Sequence, residues 1–360
     1  MIRVLQIGLS FEYGGIESFV MNYYRHIDKS KIQFDFINLY DKPLAYEEEI
    51  HKLGGIVYKI ADFHKRPLRY KKDLRSTMKS YSVVHIHMLS AANMIPLLVA
   101  KKLKIKKIIA HSHNSSPEGF LRGVLHIINY KKIKAFATNL FACSCLAGDW
   151  MFGKDADYFI VRNAIAADKY IYQDEARYKL RQELRINPNA IVYGNVGRLN
   201  IQKNQVFLLK IFSKILEKQQ NSYLCIIGDG ELRNELSEMT EKLGISNQVI
   251  LLGRRMNVNK LYNIFDAIIM PSLFEGLPLT LIEAQANGLK CFVSEGGISE
   301  ESNVLHTMEF VNLNEGEEKW AQIIVTSDLT RDFNALKKIT NAHFDITTES
   351  NVLENKYMEV

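Results

Sequence analysis

The chain is short of several things, and each shortage excludes a class. Four cysteines, Cys143, Cys145, Cys225 and Cys291, stand among 360 residues. They show no paired spacing with histidine, which argues against zinc and for packed thiols in a reducing cytosol. No apolar run approaches the ~20 residues that a membrane-spanning helix requires. The first nine residues, Met1 to Leu9, carry Gln6 inside a strand-like run and do not read as a signal peptide. The glycine fingerprint G-x-G-x-x-G is missing, which speaks against an NAD-linked dehydrogenase. The one Asp-x-Asp triplet, Asp155-Ala156-Asp157, is not read as a metal motif, and no low-complexity tract or short repeat is evident.

What remains is the composition of a globular protein, 47% hydrophobic and 24% charged. A length of 360 residues exceeds what one core usually holds, so two domains are expected. The net charge of +6 is unevenly spread: residues 1–165 carry 25 Lys and Arg against 14 Asp and Glu, and the remainder 21 against 26. A basic first half suggests an anionic partner, and two clusters stand out, Lys65 to Arg75 and Lys101 to Lys107. Solvated helix surface explains either cluster alone equally well. No nucleic acid is expected.

Short apolar runs alternate with helical patterns. Val4 to Leu9, Phe34 to Leu39, Val57 to Ile60, Val83 to His87, Lys107 to Ala110, Leu140 to Ser144 and Tyr158 to Val161 read as strands. So do Ile191 to Val196, Tyr223 to Gly228, Val249 to Gly253, Ala267 to Pro271, Cys291 to Ser294 and Phe310 to Leu313. The alternation predicts α/β architecture, with parallel sheets covered by helices. The polar stretch Ala166 to Asn189 reads as the junction. The expected division is 1–170, 171–340 and a C-terminal helical segment 341–360 packing back on the first domain. Two doubly wound, Rossmann-like domains would bind ligands at their strand carboxyl ends, facing a central cleft.

The most informative stretch runs from Phe274 to Ala284. Glu275 and Glu283 are separated by seven residues, with Gly276 and Pro278 at a turn and Leu279 and Thr280 at a helix start. One loop can thus offer a carboxylate to a sugar, N–H groups to a pyrophosphate and a second carboxylate to a ribose. Three other segments follow strands. Gly14-Gly15-Ile16-Glu17 permits close backbone approach at a helix start. Gly197-Arg198 precedes Lys203, and Gly253 precedes Arg254. His85-x-His87 and His111-x-His113-Asn114 close two strands of the first half. A metal site from these histidines is disfavoured, because no carboxylate signal lies nearby. Phe120, Leu121, Val124, Leu125 and Ile128 form a helical stripe ending in Lys131, Lys132 and Lys134. It reads first as buried core and second as a helix lying on an anionic membrane.

These segments, in this order, resemble the E-x7-E family-4 retaining glycosyltransferases of the GT-B fold. The resemblance spans almost the whole chain and is closest to bacterial enzymes of exopolysaccharide and capsule synthesis. It implies a UDP-sugar donor held by the second domain and a glycan or lipid-diphosphate-linked acceptor held by the first. It implies that Arg198 and Lys203 grip the donor diphosphate, Glu275 orients the sugar and Glu283 binds ribose. Gly15, Gly197, Arg254, Gly276, Leu279 and Thr280 would complete the donor site. It also implies a histidine on the donor sugar, for which His113 is the better match and His111 the next. Gly14, His87, His111 and Asn114 would serve the acceptor or a secondary role. No metal or cofactor is expected, since two fixed cations already oppose the charge of the leaving diphosphate. Residence is expected in the cytoplasm, with peripheral attachment to the inner membrane face. A nucleotide-sugar epimerase of the same architecture and a non-catalytic nucleotide-sugar-binding subunit are the alternatives.

Overall fold

The structure is a computed structural model that describes residues 1–114, 119–255, 257–275 and 277–359. Thirteen strands occur among the described residues, one at each run read above. The first seven are β1 (Ile2–Ile7), β2 (Ile32–Asn38), β3 (Val57–Lys59), β4 (Val83–Met88), β5 (Lys107–Ser112), β6 (Asn139–Ala142) and β7 (Phe159–Ile160). They form one sheet in the order β3-β2-β1-β4-β5-β6-β7, and every neighbouring pair is parallel. The other six are β8 (Ile191–Val196), β9 (Ser222–Ile227), β10 (Val249–Gly253), β11 (Ala267–Met270), β12 (Lys290–Ser294) and β13 (Glu309–Val311). Their order is β10-β9-β8-β11-β12-β13, again all parallel. Both sheets are doubly wound, and each reverses direction beside its first strand. Such a reversal opens a crevice at the strand carboxyl ends, where these folds bind ligands.

The strands form because they can be buried on both faces. All seven residues of β2 and all six of β4 and of β5 are buried. In the second unit Leu208, Leu209, Ile211, Phe212 and Ile215 line one face of the helix Gln205–Lys218 and pack on Tyr193, Leu224 and Ile269. That is the 3.6-residue periodicity of a helix covering a sheet. Each fully buried Leu, Ile or Phe contributes about 1.5–3 kcal/mol.

The chain divides into two compact units. One comprises Met1–Ala164 with residues from Asp345 onward; the other is Ile165–Phe344. The boundary therefore falls earlier than 170/171, and residues 341–344 stay with the second unit. Residues 166–189 are no linker. They contain the helix Asp174–Glu183, whose arginines bind the segment before β11. Arg181 donates to the Ile264 carbonyl and to Asp266 at 2.7 Å, and Arg177 donates to the Phe265 carbonyl at 3.0 Å and to Asp266 at 2.5 Å. Their partners lie far along the sequence, so locally the stretch looks merely polar. The last helix, Ile346–Met358, packs against the helix Gly15–His26 of the first unit. Lys107 reaches from β5 to the carbonyl oxygens of Lys356, at 2.6 Å, and of Glu359. This member of the basic cluster is thus buried and already committed.

Candidate functional site

In the second unit the strand order reverses between β8 and β11. The segments after these two strands carry Gly197-Arg198 and the Glu275 loop. The sheet topology therefore brings together residues far apart in sequence. Lys203 Nζ donates to Glu275 Oε1 at 2.6 Å, and their side chains are only 14% and 9% exposed. Three hydrogen bonds of the flanking segments hold the pair. Leu273 N donates to the Gln202 carbonyl at 2.8 Å, and Gln202 Nε2 donates to the Phe274 carbonyl at 2.9 Å. Glu275 N in turn donates to the Gly297 carbonyl at 2.7 Å. Asn200 caps the short turn containing Lys203 by accepting from its N–H at 3.0 Å.

Gly197 stands where a Cβ would meet Lys203 Cε at 3.0 Å, so glycine leaves the lysine its path. Gly228, at φ +144°, passes so close that a Cβ would lie 1.8 Å from the Gly197 carbonyl oxygen. Only glycine permits that crossing. Arg198 is half exposed and pairs with Glu231 at 3.3 Å. Arg254 is exposed after β10, two strands away from β8 in the sheet.

The helix Leu279–Ala286 follows the Glu275 loop, with Leu279 as its first residue. Thr280 Oγ1 is buried and finds no partner among the described residues. Gly276 lies outside the described residues. Glu283 is held by two hydroxyls that no motif singled out. Tyr170 donates to Oε1 and Tyr262 donates to Oε2, each at 2.8 Å. Burial raises the Glu283 carboxyl above its ordinary range, and the two tyrosine hydrogen bonds oppose that shift. Tyr170 comes from the stretch first read as junction. Neither tyrosine has a local motif; only the fold brings them to the carboxylate.

In the first unit the reversal lies between β1 and β4. His85 and His87 on β4 and His111 on β5 face one side of the sheet, as alternation requires, with His87 directly opposite His111. His113 follows β5. Phe19, from the helix Gly15–His26, sits against His111 and His113 with ring centroids 5.0 and 5.1 Å away. The four imidazoles form two short relays. Tyr357 Oη contacts His85 Nδ1 at 2.6 Å, and His85 Nε2 contacts His111 Nδ1 at 3.0 Å. Gln6 Oε1 contacts His87 Nε2 at 2.9 Å, and His87 Nδ1 contacts His113 Nε2 at 2.8 Å.

The second relay fixes tautomers. An amide oxygen only accepts, so His87 carries its proton on Nε2. Its Nδ1 then accepts from His113 Nε2–H, which leaves His113 Nδ1 as an acceptor. Burial holds all four imidazoles below their usual range, His113 down to about 3, so they are neutral near pH 7. Ring nitrogens of His85, His87 and His111 lie within 4.8 Å of one another. Two of the three rings use both nitrogens in the relays, and ligating an ion would require breaking those bonds. His111 is fully buried, so His113 is the outermost imidazole of the two. Gln6 and Tyr357, which orient the cluster, were not signalled by any motif.

The Gly14-Gly15 turn is tied down from within. Glu17 is buried and accepts from Ser10 N at 2.7 Å and from Gly14 N at 3.1 Å. The Gly14 N–H is therefore taken by Glu17. A Cβ on Gly15 would meet nothing within 4 Å. Asn114 is buried beside His113.

The comparisons with known proteins agree with this architecture. The model of glycosyl transferases group 1 matches residues 176–308, and that of glycosyltransferase family 4 matches residues 13–161. EpsF of Bacillus subtilis (strain 168), a protein assigned to the glycosyltransferases, is 32% identical over 333 residues, 89% of this chain and 86% of its own. An Escherichia coli protein named UDP-Gal:alpha-D-GlcNAc-diphosphoundecaprenol alpha-1,3-galactosyltransferase is 25% identical over 280 residues, 73% of this chain and 67% of its own. The structure of Anabaena HepE in complex with UDP and glucose superposes with a TM-score of 0.82 at 17% identity, covering all of both chains. WaaG, a glycosyltransferase involved in lipopolysaccharide biosynthesis, gives a TM-score of 0.73 at 14% identity, also over all of both chains. The fold is thus GT-B. The chain belongs to the family-4 glycosyltransferases and is a transferase.

Proposed function

We propose that this glycosyltransferase moves a sugar from a UDP-sugar to a glycan or lipid-diphosphate-linked acceptor, with retention of anomeric configuration, in cell-surface polysaccharide synthesis. The observation that carries the reading is the buried Lys203–Glu275 pair at the switch point of the second sheet, with Arg198 and Glu283 on neighbouring segments. In this reading Lys203 and Arg198 meet the donor diphosphate. Negative charge grows there as the glycosidic bond to phosphate breaks, and preorganised cations stabilise it. Lys203 then exchanges part of its bond to Glu275 for phosphate. Glu275 becomes available to accept from a donor-sugar hydroxyl while staying close to its counter-ion. Glu283, fixed by Tyr170 and Tyr262, offers its remaining lone pairs to ribose hydroxyls. Thr280 Oγ1 and the first turn of the helix Leu279–Ala286 offer donors to the diphosphate. His113 Nδ1, an acceptor by the relay above, takes a hydrogen bond from a sugar hydroxyl. Peripheral attachment to the inner face of the cell membrane belongs to the same reading.

Support for the donor class comes from the relatives: HepE was solved with UDP and with UDP-glucose, and the E. coli relative is named for UDP-Gal and a diphosphoundecaprenol acceptor. The test is a panel of UDP-sugars with lipid-diphosphate glycans, followed by NMR of the product anomer. Release of UDP that depends on acceptor, an α-linked product from an α-linked donor and activity that survives EDTA are expected. Inverted product, or activity lost on chelation and restored by Mn²⁺, would overturn the assigned mechanism.

A further inference from the structure

Gln6 and Tyr357 join the two imidazole relays of the first unit into one circuit. Gln6 Oε1 accepts from His87 Nε2 at 2.9 Å, and on its other side Gln6 Nε2 donates to Tyr357 Oη at 3.5 Å. Tyr357 belongs to the helix Ile346–Met358, and its ring lies edge-on to Phe34 with centroids 5.8 Å apart. Glu354, one turn earlier, accepts from Asp28 N at 2.5 Å and ties that helix to the first unit. Gln6, His85, His111 and Tyr357 are at most 2% exposed, so bulk water cannot replace a lost partner there.

Such a circuit has a direction. At 2.6 Å the contact of Tyr357 with His85 Nδ1 is shorter than N–H donors ordinarily make and suits an O–H donor. The tyrosine hydrogen is thus spent on His85, and its oxygen is left to accept. The Gln6 amide then turns its nitrogen toward Tyr357 and its oxygen toward His87, the orientation observed. Were that amide turned by half a rotation, every donor and acceptor of the second relay would exchange, and His113 would present an N–H from Nδ1. The contact of His113 with His87, at 2.8 Å, serves either arrangement. The first relay ends at His111 Nε2, which is buried without a partner among the described residues, so that end does not hold the direction. The choice is made at Tyr357.

We infer that Tyr357 and Gln6 are positioning residues that together hold His113 in the Nε2–H tautomer and so keep its Nδ1 an acceptor. The last helix of the first unit thereby acts on a site residue through a buried hydroxyl and an amide. A sugar hydroxyl that gives its hydrogen to Nδ1 keeps its lone pairs for other donors, and the opposite tautomer would reverse that. The consequence for transfer rests on the reading above, in which His113 meets the donor sugar; the tautomer itself does not.

Long-range proton–nitrogen spectra of the full chain, with isotope-labelled histidine and without donor or acceptor, read the tautomers at neutral pH. His113 is assigned by the signals lost in His113→Gln. In the wild-type chain its hydrogen should sit on Nε2, with Nδ1 bare. Tyr357→Phe removes the acceptor of the Gln6 N–H. A buried orphan N–H is worse tolerated than an orphan carbonyl, so the amide should turn over and the His113 Nδ1 resonance should move toward that of a protonated nitrogen. Gln6→Met leaves Tyr357 and its helix in place, orphans the His87 Nε2–H and should move His113 the same way, so the test stands even if Tyr357→Phe does not fold. Calorimetry with UDP and a UDP-sugar adds a second readout. Tyr357→Phe should keep the affinity for UDP and lower that for the UDP-sugar about 2–10-fold, the scale of one hydrogen bond. A wild-type His113 protonated on Nδ1 would overturn the inference, as would folded variants that both keep the wild-type His113 signals. A tautomer that moves in both variants without any change in sugar affinity would support the circuit and instead remove His113 from the proposed sugar contact.

Discussion

The two sheets reverse strand order in the same way, yet their switch points carry opposite chemistry. Beside β8 and β11 the side chains are charged and paired, Lys203 with Glu275 at 2.6 Å and Arg198 with Glu231 at 3.3 Å. Beside β1 and β4 lie Gln6 and a layer of stacked, neutral imidazoles. A paired charge can exchange its partner for an incoming anion at modest cost. A buried neutral ring cannot meet an anion by charge, but it holds a defined tautomer. In the proposed reading the same scaffold thus carries a phosphate-type site in one unit and a hydroxyl-orienting site in the other.

The sharpest way to break this comparison is to remove the cations. Lys203→Ala and Arg198→Ala should each lower turnover by about 100-fold or more, the scale of one preorganised charge-stabilising group. Their stabilities should part company. Lys203→Ala removes a counter-ion from the buried Glu275 carboxylate, which costs up to about 3–5 kcal/mol. The Arg198–Glu231 pair is half exposed, so its loss should cost no more than about 1 kcal/mol. Urea melts of both variants decide it. Equal stability losses would mean that burial does not distinguish the two pairs.

Acid probes the other side. The folded-state pKa values of His85, His87 and His111 lie well below the unfolded value. The unfolded chain therefore binds protons that the folded chain refuses once pH falls below about 6.5. Stability from these groups is complete above that pH and is lost as pH falls. Each contributes a loss of up to about 1.4 kcal/mol per pH unit. Limited proteolysis in urea at pH 7.5 and 5.5 should show the first unit opening earlier at the lower pH, with the second less affected. Equal sensitivity of both units would mean that the imidazole layer accepts protons without penalty.

Much of this was legible in the sequence, for identifiable reasons. Most strands are buried on both faces and read as continuous apolar runs, and β3, β7 and β10, only partly buried, still carry an apolar run, so each of the thirteen described strands matches one. Glu275, Glu283, Arg198 and Lys203 lie in short motifs with a chemical logic. Tyr170, Tyr262, Gln6 and Tyr357 were not found, because each acts through one hydroxyl or amide on a partner supplied by folding. The Phe120 stripe shows a subtler limit. Spacing revealed an apolar face but not which side the protein would grip. Trp150 and Ala91 decided that by binding His126 and Asn129. Glu17 illustrates the converse, since its carboxylate sits in the motif itself yet turns back to accept from the Gly14 N–H.

The central claim is that the two glutamates of the second unit divide the donor between them, Glu283 on the ribose and Glu275 on the sugar. Titration calorimetry with UDP, which lacks the sugar, tests it most directly. Glu283→Gln should weaken UDP binding by about tenfold, as expected for a lost hydrogen bond to a charged group. Glu275→Gln should leave UDP binding near that of the wild-type chain while impairing UDP-sugar binding or transfer. Equal losses of UDP affinity in the two variants, or none in Glu283→Gln, would contradict the division.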